Sequence, residues 1–154
     1  MAKKEQKLTV ACVQLSSKQS VSNNLFNTKK YINKACDRGA DLIVTPEITN
    51  IVSLSKDHLL KNAFLARKDP FLKEIKLLAK KRSVWILLGS IIIKDEKSKL
   101  YNRSYLISSA GKIVCKYDKI HMFDVNISKS ESYQESKIFT KGKKIVTAKL
   151  PWGR

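Results

Sequence analysis

The chain has 154 residues, a length that fits one domain and can bury a sizeable core. Its 43% hydrophobic content argues against disorder, and the lack of any run of about 18 apolar residues excludes a membrane-spanning helix. The formal net charge of +18 raises nucleic acid as a partner, but 26 Lys stand against 5 Arg and are spread along the whole chain.

The first segment, Lys7–Leu15, is β-branched and apolar and reads as a mostly buried strand. The charged residues before it precede no long apolar stretch, so no signal peptide is expected and a cytoplasmic location follows. Ser22 or Asn23 is suited to cap a helix that Gly39 would end in a left-handed C′ position. Leu25, Thr28, Ile32, Ala35 and Cys36 form its apolar stripe.

Asp41–Thr45 is a short continuous apolar run, as expected of a strand covered on both faces, and Pro46 ends it. A loop and a short helix are expected over 49–68. Pro70 suits the first position of a helix through Arg82, with Phe71, Leu72, Ile75, Leu78 and Ala79 on one side. Lys73, Lys76, Lys80 and Lys81 alternate with that stripe, so much of the charge is read as a solvated face. Only nonspecific, salt-sensitive contact with nucleic acid is expected from it.

Val84–Ile93 reads as a buried strand interrupted by Gly89 and Ser90. Leu100–Ser108 and Lys112–Tyr117 read as a hairpin turning at 109–111. Residues 118–143 read as a long loop, of the kind that is often functional, and Ile145–Leu150 as a last strand. Alternating strands and helices followed by a hairpin make an α/β pattern with helices covering a sheet.

Four groups are candidates for chemistry. Glu47 follows a buried strand through a proline, at the end of the sheet where α/β proteins place ligands. Desolvation there would raise its pKa, as suits a general base, but a helix-start carboxylate fits the same position. Lys119 closes the hairpin and could set positive charge beside a developing oxyanion. His121 reads as a hydrogen-bonded structural histidine, since no second His or Cys lies at ligand spacing. Glu135, an acid among lysines, reads locally as a surface ion-pair partner. Cys12, Cys36 and Cys115 offer neither a redox pair nor a zinc pattern and are read as reduced, mostly buried thiols.

The ordered set Ala11-Cys-Val-Gln-Leu15, Gly39-Ala-Asp-Leu-Ile-Val-Thr-Pro-Glu47, Leu88-Gly-Ser-Ile91, Tyr101-Asn-Arg-Ser-Tyr105 and Lys119-Ile-His-Met-Phe-Asp-Val125 resembles the nitrilase superfamily of carbon–nitrogen hydrolases. Ser130-Glu-Ser-Tyr-Gln-Glu-Ser136, Gly142 and Pro151-Trp-Gly-Arg154 extend the likeness, within which the Nit and omega-amidase branch is nearest. The resemblance implies the first half of an α-β-β-α sandwich, so that residues 1–154 form a partial domain. It further implies a Glu–Lys–Cys thioester mechanism on a small amide, without metal or organic cofactor. By position Glu47 resembles the proton acceptor, Lys119 the oxyanion stabiliser or proton donor, and Glu135 the supporting acid, with Glu131 competing for that role.

In the family a strand ending in the nucleophilic Cys follows the Pro-Trp-Gly-Arg segment, and no cysteine here occupies that place. The chain is therefore expected to stop before the nucleophile and to be inactive alone. Two alternatives are half of a split enzyme completed by a second chain, and a basic binding module for acidic partners or nucleic acid; a complementary C-terminal half or a homo-oligomer is the partner expected. The missing layer is expected to leave an open sheet edge and a bare apolar face.

Overall fold

A computed structural model describes residues 7–128 and 132–153. Its elements are β1 (Val10–Cys12), α1 (Val21–Asp37), β2 (Leu42–Val44), α2 (Lys56–Asn62), α3 (Pro70–Arg82), β3 (Trp85–Lys94), β4 (Leu100–Ile107), β5 (Ile113–Asp118), β6 (Asp124–Asn126) and β7 (Ser132–Gln134). Short 3-10 turns occupy Ala66–Lys68 and Glu135–Lys137.

One five-stranded sheet runs in the order β1-β2-β3-β4-β5. The first two pairings are parallel, joined through α1 and then α2 and α3, and the last two are antiparallel. Register aligns Ala11, Ile43, Ile86 and Ile107 across the sheet. This row faces the helices, where Ile32 of α1 and Phe71, Leu72, Ile75 and Ala79 of α3 complete a closed apolar core. A strand alternates its side chains, so the next row, Cys12, Val44, Leu87 and Leu106, faces the opposite way. On that side Cys12 is exposed and Val10 is 47% exposed, while Trp152 packs edge-on against Trp85 at 6.2 Å. The sheet thus has one covered face and one that is only partly covered.

The helix ends follow local chemistry. Ser20, rather than Ser22 or Asn23, caps α1 by accepting a hydrogen bond from the Asn23 amide at 3.3 Å. The chain is already helical by Val21, so Ser22 and Asn23 lie inside the first turn, where their side chains are past the capping position. Asp69 caps α3 through the Leu72 amide at 2.7 Å, and Pro70 follows at the first helical position.

Three expectations along the chain need correction. The first strand spans only Val10–Cys12 and is largely exposed rather than mostly buried, because it lies at the edge of the sheet. The segment 118–143 is not simply loop: β6 and β7 pair as a small antiparallel hairpin, with Val125 opposite Tyr133. These strands are three residues each, too short for a legible alternation. Residues 145–150 form no strand, and Ile145 is 89% exposed. Apolar content alone makes no strand without a ladder partner for its backbone; the one bridge here among the described residues is local, between Leu150 and Gly153.

A second apolar cluster, Ile51, Leu59, Ala63, Ile92, Leu100 and Phe139, packs α2 and its flanking loops against the far end of β3 and β4. Asn50 anchors it. Only 1% exposed, its side chain exchanges two hydrogen bonds with the backbone of Ile92 and so imitates a neighbouring strand.

Candidate active site

Gly89 and Ser90, which interrupt the apolar run of β3, mark a β-bulge: the register against β4 shifts between Leu88 and Ile91. A Cβ on Gly89 would stand 2.2 Å from the Thr45 carbonyl oxygen, so only glycine lets the segment after β2 approach this closely. That segment is stitched to the bulge. Ser90 Oγ accepts from the Ile48 amide at 2.7 Å, and the Ser90 carbonyl accepts from the Thr49 amide at 2.8 Å. Thr45 and Thr49 join their hydroxyls at 2.9 Å inside the turn. Ile48 is held at φ 52°, a left-handed conformation unfavourable for a β-branched residue. Glu47 thus stands on a backbone that these hydrogen bonds define.

Lys119 follows β5. Its amide donates to the Asn102 carbonyl at 2.9 Å, and its own carbonyl accepts from the Gly142 amide at 2.9 Å. A Cβ at Gly142 would lie 2.1 Å from the Asp118 carbonyl oxygen, so here too glycine permits the approach. Glu135 opens the turn after β7, and its Oε2 accepts from the Phe123 amide at 2.8 Å.

These three side chains meet. Lys119 Nζ donates to Glu47 Oε1 at 2.8 Å and to Glu135 Oε2 at 2.8 Å. Asn102 Nδ2 donates to the same Glu47 Oε1 at 2.7 Å. Lys119 and Glu135 are well enclosed, with side chains 24% and 19% exposed, while Glu47 keeps 54% of its side chain open.

The expected rise in the Glu47 pKa is not found. Burial pushes the carboxyl up, but hydrogen bonds from Lys119 and Asn102, with the Lys119 charge, outweigh it and hold the group below its ordinary 4.5. For Lys119 burial favours the neutral amine, yet Glu135 and Glu47 together keep its pKa above the ordinary 10.5. At neutral pH the site is a carboxylate facing an ammonium.

Glu131 lies outside the described residues, so the structure compares no rival with Glu135. His121 is exposed, which departs from the structural role expected of it. Among the described residues no cluster of His, Cys, Asp and Glu could hold a metal ion. No cysteine is among the groups that bear on Glu47 or Lys119. Cys36 lies on α1 beside Arg82, Cys115 is on β5, and Cys12 is exposed on β1 rather than buried.

Asn102 is the site residue that sequence reasoning missed. It is 2% exposed, and its place in the polar run Asn102-Arg103-Ser104, between apolar ends of a strand, was the available signal. A cleft of about 320 Å³ opens beside Glu135, lined mainly by apolar groups such as Ile48, Leu54, Ile92, Phe123 and Phe139.

A parallel β-α-β start, a bulge that presents a carboxylate, and a hairpin that presents a lysine together define an α/β fold of the nitrilase type. Residues 9–154 match the carbon–nitrogen hydrolase family, and the chain belongs to it. The deaminated glutathione amidase of Dictyostelium discoideum is 32% identical over 148 residues, which take in 92% of this chain and 51% of that protein. Omega-amidase NIT3 of Saccharomyces cerevisiae is 31% identical, over 97% of this chain and 53% of the relative. The crystal structure of S. cerevisiae Nit3, a member of branch 10 of the nitrilase superfamily, superposes with a TM-score of 0.80 at 28% identity, covering 99% of this chain and 56% of that one. The Caenorhabditis elegans NitFhit protein shares the fold with a TM-score of 0.84 at 24% identity, over 96% of this chain and 37% of its own. The chain spans about half the length of the curated relatives it matches. No helix among the described residues is long and apolar enough to cross a membrane.

Proposed function

We propose that this chain supplies the base and the lysine of an amidase-type carbon–nitrogen hydrolase, while the nucleophilic thiol comes from outside these 154 residues. The observation that carries the reading is Lys119 Nζ bridging Glu47 and Glu135 at 2.8 Å each. In this reading Glu47 removes the proton of a cysteine thiol, and the thiolate attacks the carbonyl carbon of a small amide. The Lys119 ammonium stabilises the tetrahedral oxyanion. Glu47 returns the proton to the departing amine, and water then hydrolyses the thioester through the same carboxylate. Glu135 holds Lys119 in line and keeps it charged. The relatives' names, deaminated glutathione amidase and omega-amidase, favour a small amide as substrate.

Taken alone, the 154-residue chain is inactive in this reading, because none of its three thiols bears on the Glu47–Lys119 pair. A split enzyme is the second reading, and the partly covered sheet face around Val10 and Cys12 favours it. An ammonia-release assay on small amides tests both. The chain alone should be silent, and joining it to a cysteine-bearing C-terminal half of a family member should give turnover that Glu47→Gln and Lys119→Met each abolish. Turnover by the 154 residues alone, unaffected by Glu47→Gln, would sink the proposal.

A further inference from the structure

We propose that Asn102 is a positioning residue that fixes Oε1 of Glu47 and leaves Oε2 as the oxygen that takes the proton. The inference rests on the reading of Glu47 as the base and adds the atom and the residue that selects it.

Two donors converge on Oε1: Asn102 Nδ2 at 2.7 Å and Lys119 Nζ at 2.8 Å. Together they occupy both lone pairs of that oxygen. Among the described residues no hydrogen bond reaches Oε2, and the Glu47 side chain is 54% exposed. A proton leaving a thiol would therefore find its acceptor at Oε2. The S–H bond breaks as the O–H bond forms, and in the next step the same proton passes to the departing nitrogen.

Asn102 also sets the lysine. Its backbone carbonyl accepts the Lys119 amide at 2.9 Å, so one residue of β4 locates both partners of the ion pair. The orientation of its amide follows from the chemistry, because Oδ1 turned toward Glu47 would set two acceptors against each other. Oδ1 instead lies buried with no partner among the described residues, which is unfavourable. An apolar residue at this 2% exposed strand position would escape that cost. The amide has a use that offsets it, and the bond to Glu47 is the one it makes.

The test needs no turnover, so its failure is separable from failure of the base assignment. In the 154-residue chain with ¹³C-labelled glutamate and ¹⁵N-labelled asparagine, Glu47→Gln identifies the Glu47 carboxyl resonance. The Asn102 side-chain amide resonances should move with the Glu47 midpoint and stay flat in Glu47→Gln. Asn102→Leu, which keeps the branched outline and removes the donor, should raise that midpoint by roughly 0.5 to 1 pH unit. Ser104→Ala, on the same strand but bonded to the Gly89 carbonyl, should leave it where it is. Asn102 amide signals that ignore the Glu47 titration in the wild-type chain would overturn the proposal, whether or not the Leu variant folds. An unshifted midpoint in a folded Asn102→Leu chain would do the same.

Discussion

Glu47 and Lys119 illustrate how neighbours, more than burial, decide the charge of a half-open group. The Glu47 carboxyl sits below its ordinary value because two donors outweigh desolvation. Lys119→Met removes one donor and the one cation among the described residues that acts on it, leaving burial and the Asn102 bond in opposition. The Glu47 midpoint is then expected to rise, which a carboxyl titration would detect. Stability responds with a definite sign. A carboxyl whose folded pKa is depressed adds stability above its unfolded value near 4.5, and that stability is lost as pH falls through the folded pKa. Lys119→Met should accordingly flatten the acid limb of a denaturation-versus-pH curve.

Asp69 works in the opposite direction. It caps α3 while only 3% exposed, and burial raises its pKa to about 6 from 3.8 despite hydrogen bonds from the Leu72 and Phe71 amides. With the folded value above the unfolded one, its contribution is complete below 3.8 and is lost as pH rises through about 6. Asp69→Asn keeps the capping oxygen and removes the titration. The variant should lose the fall in stability between pH 4 and 6.5 that urea denaturation of the parent would register.

At the scale of elements, the bulge in β3 links fold to site. Gly89→Ala would drive a Cβ into the Thr45 and Pro46 backbone, so the turn bearing Glu47 must move or the sheet must open. A loss of roughly 2 kcal/mol or more is expected in chemical denaturation, because overpacking against backbone has no flexible side chain to absorb it. Ser20→Ala, which removes the α1 cap far from the site, should cost about 1 kcal/mol and leave the Glu47 titration unchanged. The helix 70–82 and the hairpin of β4 and β5 were legible in sequence because Pro70, the apolar stripe and Gly111 each have one strong structural meaning. The β6–β7 hairpin was not, since two three-residue strands carry no period. The apolar residues 145–150 misled for the opposite reason: propensity was present, but the segment joins neither sheet and makes only a local bridge from Leu150 to Gly153.

For the whole molecule, the charge of +18 has no focus at the site, where the two acids Glu47 and Glu135 enclose the Lys119 ammonium. Binding to duplex DNA should be weak, indifferent to sequence, and reduced by roughly tenfold or more between 50 and 200 mM salt, as fluorescence anisotropy would measure. Sequence-selective binding at physiological salt would instead favour a basic binding module.

Much of this protein was decided by sequence alone: the α/β class, the helix limits set by proline and apolar period, and the carbon–nitrogen hydrolase motifs in their order. Those features are local, or are carried by residue types with few structural uses. Tertiary structure decided what depends on distance between segments. Glu47 and Lys119 lie 72 residues apart and share a hydrogen bond only because the bulge, the hairpin and Gly142 bring three turns together. The depressed pKa of Glu47 and the role of Asn102 belong to that second class. Each is set by which donor or acceptor a fold places within about 3 Å, and no periodicity in a chain encodes that distance.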